Sequence, residues 1–310
     1  MKKMEGIIVP CVTPFDETGE LRLDWLKTNY EKLNGTGVGG YMALGSNGEF
    51  RSLSDEEALA VIQAAAEVKA PDKILIAGVG RESLYQTLAF IRRVADARTA
   101  VDYLSVLTPG YFKNLMTDDA LIDYYQAIAD FSPYPILIYC APGFVNDVRI
   151  SPEALRILAD HPNIAGIKDT SPDMMSAYMG CVGGRDDFQV LAGSLNNFFL
   201  CTQRGGKGGI LSAANYFPET CVEFYRVIRE ADQTASEDFM RRLKEAAKET
   251  GGKAGVAGVK AVMNLMGYHG GMPRKPVQAC GKSFMEKAEA YVRSHKEFIR
   301  DWKEQKGETQ

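Results

Sequence analysis

A lysine closes the short apolar run IAGIKDT (164–170). An ammonium group is costly to remove from water unless it is paired, solvated or used for chemistry. One reading lays the stem of Lys168 along a rim and keeps its charge wet. The other holds the amine in a partly apolar mouth, where desolvation favours the neutral form that adds to a ketone and makes a Schiff base. A second apolar run, PILIYCA (135–141), carries Tyr139 near its end. Its hydroxyl is either satisfied by the backbone, as in many core tyrosines, or passes protons beside an imine-forming lysine. GSNGEF (45–50) supplies Gly45, Ser46, Asn47 and Gly48. Its glycines permit a tight turn with inward N–H groups, and the hydroxyl and amide add donors suited to a carboxylate, although the same residues are also ordinary turn chemistry.

These residues need elements to bring them together, and the chain supplies a regular alternation of short apolar runs with amphipathic helical stretches. Eight runs are predicted as strands: 6–14, 40–46, 73–79, 103–109, 135–141, 164–170, 188–194 and 208–213. Their nearly continuous apolar character suits strands covered on both faces. SDEEALAVIQAAAEVKA, TDDALIDYYQAIADF and SPEALRILAD each open with a capping residue and an early acid, as helices do. Eight strand–helix units predict a closed (β/α)₈ barrel over residues 1–232. Residues 233–310 predict a C-terminal helical extension packed on it, joined through a turn at ADQTAS (231–236). Active sites of such barrels lie at the C-terminal ends of the strands. There the polar residues collect: Ser46, Asn47 and Glu49, then Thr108 and Tyr111, Tyr139, Lys168 with Thr170, and Ser194. GGKGGILSA (205–213) carries the same two readings as GSNGEF, since its glycines also serve simply to relieve crowding at the entry to the last strand.

Composition narrows the partners. The chain has 310 residues, 45% of them hydrophobic, and 36 Lys+Arg against 40 Asp+Glu leave a net charge of −4. That balance offers no field for nucleic acid or an anionic membrane, so a small molecule is the expected partner. The six cysteines form no C-x-x-C pair and read as buried hydrophobes in a reducing compartment. None of the three histidines stands at metal-ligand spacing from another His or Cys, so a metal site is not expected. No run reaches membrane-spanning length. A cytoplasmic location is expected, or an organelle reached by a leader this sequence does not carry.

The segments together resemble the dihydrodipicolinate synthase / N-acetylneuraminate lyase family of class I aldolases, over roughly residues 5–300. GSNGE is similar to that family's G-[ST]-[TN]-G-E loop, ILIYCAP to its strand ending in Y-x-x-P, IAGIKDTS to its G-[IL]-K-[DE] segment, and GGKGGILSAANYFP to its Gly-rich eighth strand. The resemblance implies a homotetrameric barrel that makes or breaks 2-oxo acids through an imine to pyruvate, with no cofactor beyond that covalent bond. It implies Lys168 as the imine-forming amine and Tyr139 as the proton-transferring phenol. Tyr111 would reach into a neighbouring subunit's site. Ser46 and Asn47 would hold the pyruvyl carboxylate on a loop shaped by Gly45 and Gly48, with Thr170, Ser194 and Ile210 completing the substrate-facing set.

Departures bear on the substrate. Phe144 stands where dihydrodipicolinate synthases have a carboxylate-binding arginine, and Gly110 where they usually have another tyrosine. A phenyl ring cannot replace a bidentate guanidinium. GSNGEF, DFQVLAGS, GVKAVMNLMGYHGG and YFKNLM resemble 4-hydroxy-2-oxoglutarate aldolases more closely. The expectation is therefore cleavage of a 4-hydroxy-2-oxo acid to pyruvate and an aldehyde such as glyoxylate. Dihydrodipicolinate synthase, a sugar-acid lyase, and a barrel that binds a 2-oxo acid without turnover are the alternatives. Lys113, Arg204 and Lys207 are candidate partners of a second carboxylate, each also readable as a solvated surface charge.

Overall fold

The computed structural model describes residues 2–301, so residues 302–310 of the expected extension lie outside the described residues. The first half runs β1 (Gly6–Pro10), α1 (Leu23–Asn34), β2 (Gly40–Ala43), α2 (Asp55–Val68), β3 (Ile74–Gly78), α3 (Leu84–Asp96), β4 (Tyr103–Leu107) and α4 (Asp118–Phe131). It continues through β5 (Ile136–Cys140), α5 (Pro152–Ala159), β6 (Ile164–Asp169), α6 (Met175–Val182), β7 (Gln189–Ala192), α7 (Leu195–Gln203), β8 (Gly208–Ile210) and α8 (Pro218–Glu230). Then follow α9 (Gln233–Glu249), α10 (Gly255–Leu265) and α11 (Lys282–Ser294).

Each strand pairs in parallel with its sequence neighbours, and β8 closes on β1 with Ile8 opposite Ile210. The expected (β/α)₈ barrel, with helices beyond it, is the observed fold. Several predicted runs extend past the strands at the mouth end: the first reaches 14 where β1 stops at Pro10, and the second reaches 46 where β2 stops at Ala43. The overrun has a physical cause, because Cys11, Val12 and Leu44 remain buried after ladder pairing has ended. Apolarity reports burial, and pairing stops where the chain bends over the mouth.

Local chemistry starts the helices where the sequence placed them. Ser54 accepts the Glu57 N–H while the Glu57 carboxylate accepts the Ser54 N–H, a capping box on α2. Thr117 and Ser151 cap α4 and α5 through Ala120 and Ala154. Each such cap stabilises by about 1 kcal/mol.

Asp232 caps α9 directly after α8 ends, accepting the Ala235 N–H at 2.8 Å. Aromatic rings then tie the last helices to the barrel. Phe198 of α7 lies 5.7 Å from Phe224 of α8, Phe224 stacks on Phe239 of α9 at 5.6 Å, and Phe239 meets Phe298 at 5.0 Å. Asp301 then reaches the start of α8, which has no side-chain cap of its own. Its carboxylate accepts the N–H groups of Glu219 and Thr220 and the Thr220 hydroxyl, at 2.7, 3.1 and 2.6 Å.

Candidate active site

Strand alternation decides what Lys168 can meet. Successive residues of β6 face opposite sides. Asp169 is directed away from the lysine, and its carboxylate accepts the N–H and hydroxyl of Ser171. Lys168 enters the barrel, where its side chain is enclosed at 3% exposure and forms no ion pair among the described residues. Its Nζ donates to the thioether of Met42 at 3.6 Å and lies 4.0 Å from the centre of the Tyr139 ring. Burial, with no opposing charge, brings the ammonium down from 10.5 to about 7. Near neutral pH roughly half of these amines are therefore uncharged nucleophiles.

Tyr139 stands opposite Lys168 in the β5–β6 ladder. Its hydroxyl pairs with Ser46 Oγ at 3.2 Å, and burial pushes the phenol up to about 12 with Ser46 pulling the other way. The phenol thus starts protonated, and a proton accepted on one side must be handed to Ser46 on the other. The Thr170 hydroxyl donates to the Cys140 carbonyl at 3.4 Å.

The loop after β2 is built differently from the sequence expectation. Its left-handed residues are Leu44 and Glu49, with φ of 59° and 50°, and not the glycines. Gly48 is needed for space, since a Cβ there would come 3.1 Å from Leu44 Cα and 3.2 Å from the Cys11 carbonyl oxygen. Thr13 Oγ1 anchors the Gly48 carbonyl at 2.7 Å. Asn47 faces β8's exit, its amide donating to Ser212 Oγ at 2.8 Å.

Ser212 is a mouth residue that the sequence reading missed. It lies within the predicted eighth run and obeys the same rule, a hydroxyl just past a strand end, that selected Ser46. Met42 carried no sequence signal, because a methionine in an apolar strand reads as core. Ser194 caps α7, accepting the Asn197 N–H at 3.3 Å, and Ile210 is buried at the β1–β8 seam.

Tyr111 is 76% exposed and packs edge-on against Phe112, so its own chain does not bring it to Lys168. At Gly110 a Cβ would fall 2.6 Å from that of Val145, leaving no room for a larger residue on this backbone. Phe144 is 61% exposed in the turn after β5. Two candidate second-carboxylate partners are corrected. Arg204 follows the C-terminus of α7 and Lys207 precedes β8, which puts both at the end of the barrel opposite the mouth. Only Lys113, exposed after β4, is on the mouth side.

A family model, that of the Dihydrodipicolinate synthetase family, matches residues 3–295. The chain is 30% identical to a probable mitochondrial 4-hydroxy-2-oxoglutarate aldolase of Emericella nidulans, over 88% of this chain and 89% of that one. It is 29% identical to the 4-hydroxy-tetrahydrodipicolinate synthase of Methanospirillum hungatei, over 91% and 96%. The crystal structure of a chloride-inhibited dihydrodipicolinate synthase from Acinetobacter baumannii complexed with pyruvate superposes with a TM-score of 0.83 at 25% identity, over 94% of this chain and 98% of that one.

Proposed function

The chain belongs to the dihydrodipicolinate synthetase family, and from that premise we propose that it is a Schiff-base aldolase cleaving a 4-hydroxy-2-oxo acid to pyruvate and an aldehyde. The observation that carries this reading is the enclosed, uncompensated Lys168 amine beside the Tyr139 phenol. Neutral Nζ adds to the C2 ketone, and loss of water leaves a protonated imine. That cation lies against the face of the Tyr139 ring, where the quadrupole favours it. Electrons of the C3–C4 bond flow into the imine as the 4-hydroxyl gives up its proton to Tyr139, which passes its own to Ser46. The aldehyde leaves, the enamine is protonated at C3, and a water molecule hydrolyses the imine, releasing pyruvate and restoring Lys168. Ser46 and Asn47 hold the pyruvyl carboxylate. The chemistry needs no cofactor, because the iminium is the electron sink.

Two features support a 4-hydroxy-2-oxo acid over a semialdehyde condensation. One relative of this chain is named as a 4-hydroxy-2-oxoglutarate aldolase, and Phe144 and Gly110 stand in place of groups a synthase would use. Steady-state assays with 4-hydroxy-2-oxoglutarate, with pyruvate plus aspartate semialdehyde, and with N-acetylneuraminate test the choice. The first is expected to turn over best, and preference for the semialdehyde would refute it. Lys168→Ala is expected to lose at least about 10³-fold in kcat and to give no adduct with pyruvate and borohydride.

A further inference from the structure

The loop that carries Ser46 and Asn47 ends on Glu49, whose left-handed backbone persists only where its surroundings hold it. What holds it comes from the last third of the chain. The side chains of Glu49 and of Lys260, on α10, are 4% and 1% exposed and form an ion pair. The backbone N–H of Arg274 donates to the other carboxylate oxygen at 2.9 Å. Lys260 also donates to the Met272 carbonyl at 2.7 Å and lies 4.4 Å from the centre of the Phe15 ring. The Arg274 guanidinium sits over the same ring at 4.2 Å and donates to Glu57 of the α2 capping box at 2.8 Å. The middle of the β2–α2 connection and the first turn of α2 are therefore fastened to residues 260–274.

Resting on the pyruvate chemistry proposed above, we infer that Lys260 is a positioning residue: its ion pair with Glu49 sets the placement of the Ser46–Asn47 loop against substrate. The displacement has a direct route. The Glu49 N–H donates to the Ser46 carbonyl at 3.1 Å, and Ser46 Oγ meets the Tyr139 hydroxyl at 3.2 Å. Through that backbone hydrogen bond a shift at Glu49 carries Ser46 with it. A wholly buried ion pair is a weak source of net stability, and well-packed apolar residues often replace one without loss. Its effect here is on geometry, and reactions through a bound imine are sensitive to misplacement of about 1 Å.

The test is the rate of borohydride trapping of pyruvate as a function of pyruvate concentration, with thermal midpoints measured alongside. The variants are Lys260→Met, Lys260→Arg, the double variant Glu49→Gln/Lys260→Met, and Asp301→Ala as a destabilised control whose hydrogen bonds go to Glu219 and Thr220. Lys260→Met leaves a buried carboxylate unpaired and is prone to unfold, whereas the double variant removes both charges. The double variant is expected to raise the half-saturating pyruvate concentration by about 10-fold or more while its plateau rate stays within about 3-fold of wild type. Lys260→Arg is expected to recover most of that shift, and Asp301→Ala to lower the thermal midpoint without moving half-saturation. A folded double variant with wild-type half-saturation overturns this inference alone. So does a shift that Asp301→Ala reproduces at equal destabilisation. A wild-type chain that traps no pyruvate overturns the aldolase reading and this one with it.

Discussion

A lysine enclosed with a thioether and a phenol face as its nearest groups favours the unfolded chain at neutral pH, because the unfolded chain lets it hold its proton in water. Its value falls from 10.5 unfolded to about 7 folded. Between these limits the unfolded chain binds more protons, so the contribution of Lys168 to stability rises with pH across that window; below about 7 the full penalty applies. Lys168→Met removes the charge at little change in volume. It is expected to raise the thermal midpoint at pH 7 by up to about 6 °C, from an upper bound on the order of 4 kcal/mol, and the gain should shrink toward pH 10. The same titration should give a kcat/KM profile rising to a plateau with a midpoint near 7. An unchanged melting temperature together with a midpoint near that of free lysine would contradict the enclosure. Lys168 and Tyr139 were legible in sequence because a polar group at the end of an apolar strand run is conspicuous. Glu49 was visible as a loop residue, but its partner Lys260 was not, since an ion pair across two hundred residues leaves no local pattern.

Elements were legible wherever one local rule controls them. The caps of α2, α4 and α5 were readable because side-chain oxygens facing N–H groups three residues on are a short-range contract. Strand ends were not, since burial continues past the ladder. The start of α8 was illegible for another reason: its cap is Asp301, which arrives from the far end of the described chain. Asp301→Ala leaves those N–H groups without their acceptor. It is expected to cost about 1–2 kcal/mol, seen as a thermal midpoint lower by about 1.5–3 °C and faster amide exchange over residues 295–301 and the first turn of α8. Unchanged exchange at both segments would show that the aromatic packing of Phe239 and Phe298 fastens the extension without it.

On the scale of the whole molecule, the rim around the mouth is uneven. Tyr85, Tyr111, Phe112, Leu115 and Phe144 are all more than half exposed, and each follows β3, β4 or β5 on the mouth side. Such a concentration of exposed apolar side chains suits a face covered by another copy of the chain. It is also where Tyr111 would enter a neighbouring site, as the family resemblance implies. Light scattering is expected to give a tetramer, and Phe112→Glu/Leu115→Glu to yield smaller species with reduced kcat; a monomeric wild type of full activity would remove any role for Tyr111 between subunits. The seam of the barrel has its own consequence. Because β1 zips to β8, the barrel closes only when strands about two hundred residues apart meet, and Lys260 lies further along the chain still. A chain cut before β8 is therefore expected to leave the barrel open and the Lys168 amine hydrated and protonated, seen as a failure to trap pyruvate with borohydride; trapping at the full-length rate would show that the seam is dispensable for enclosure.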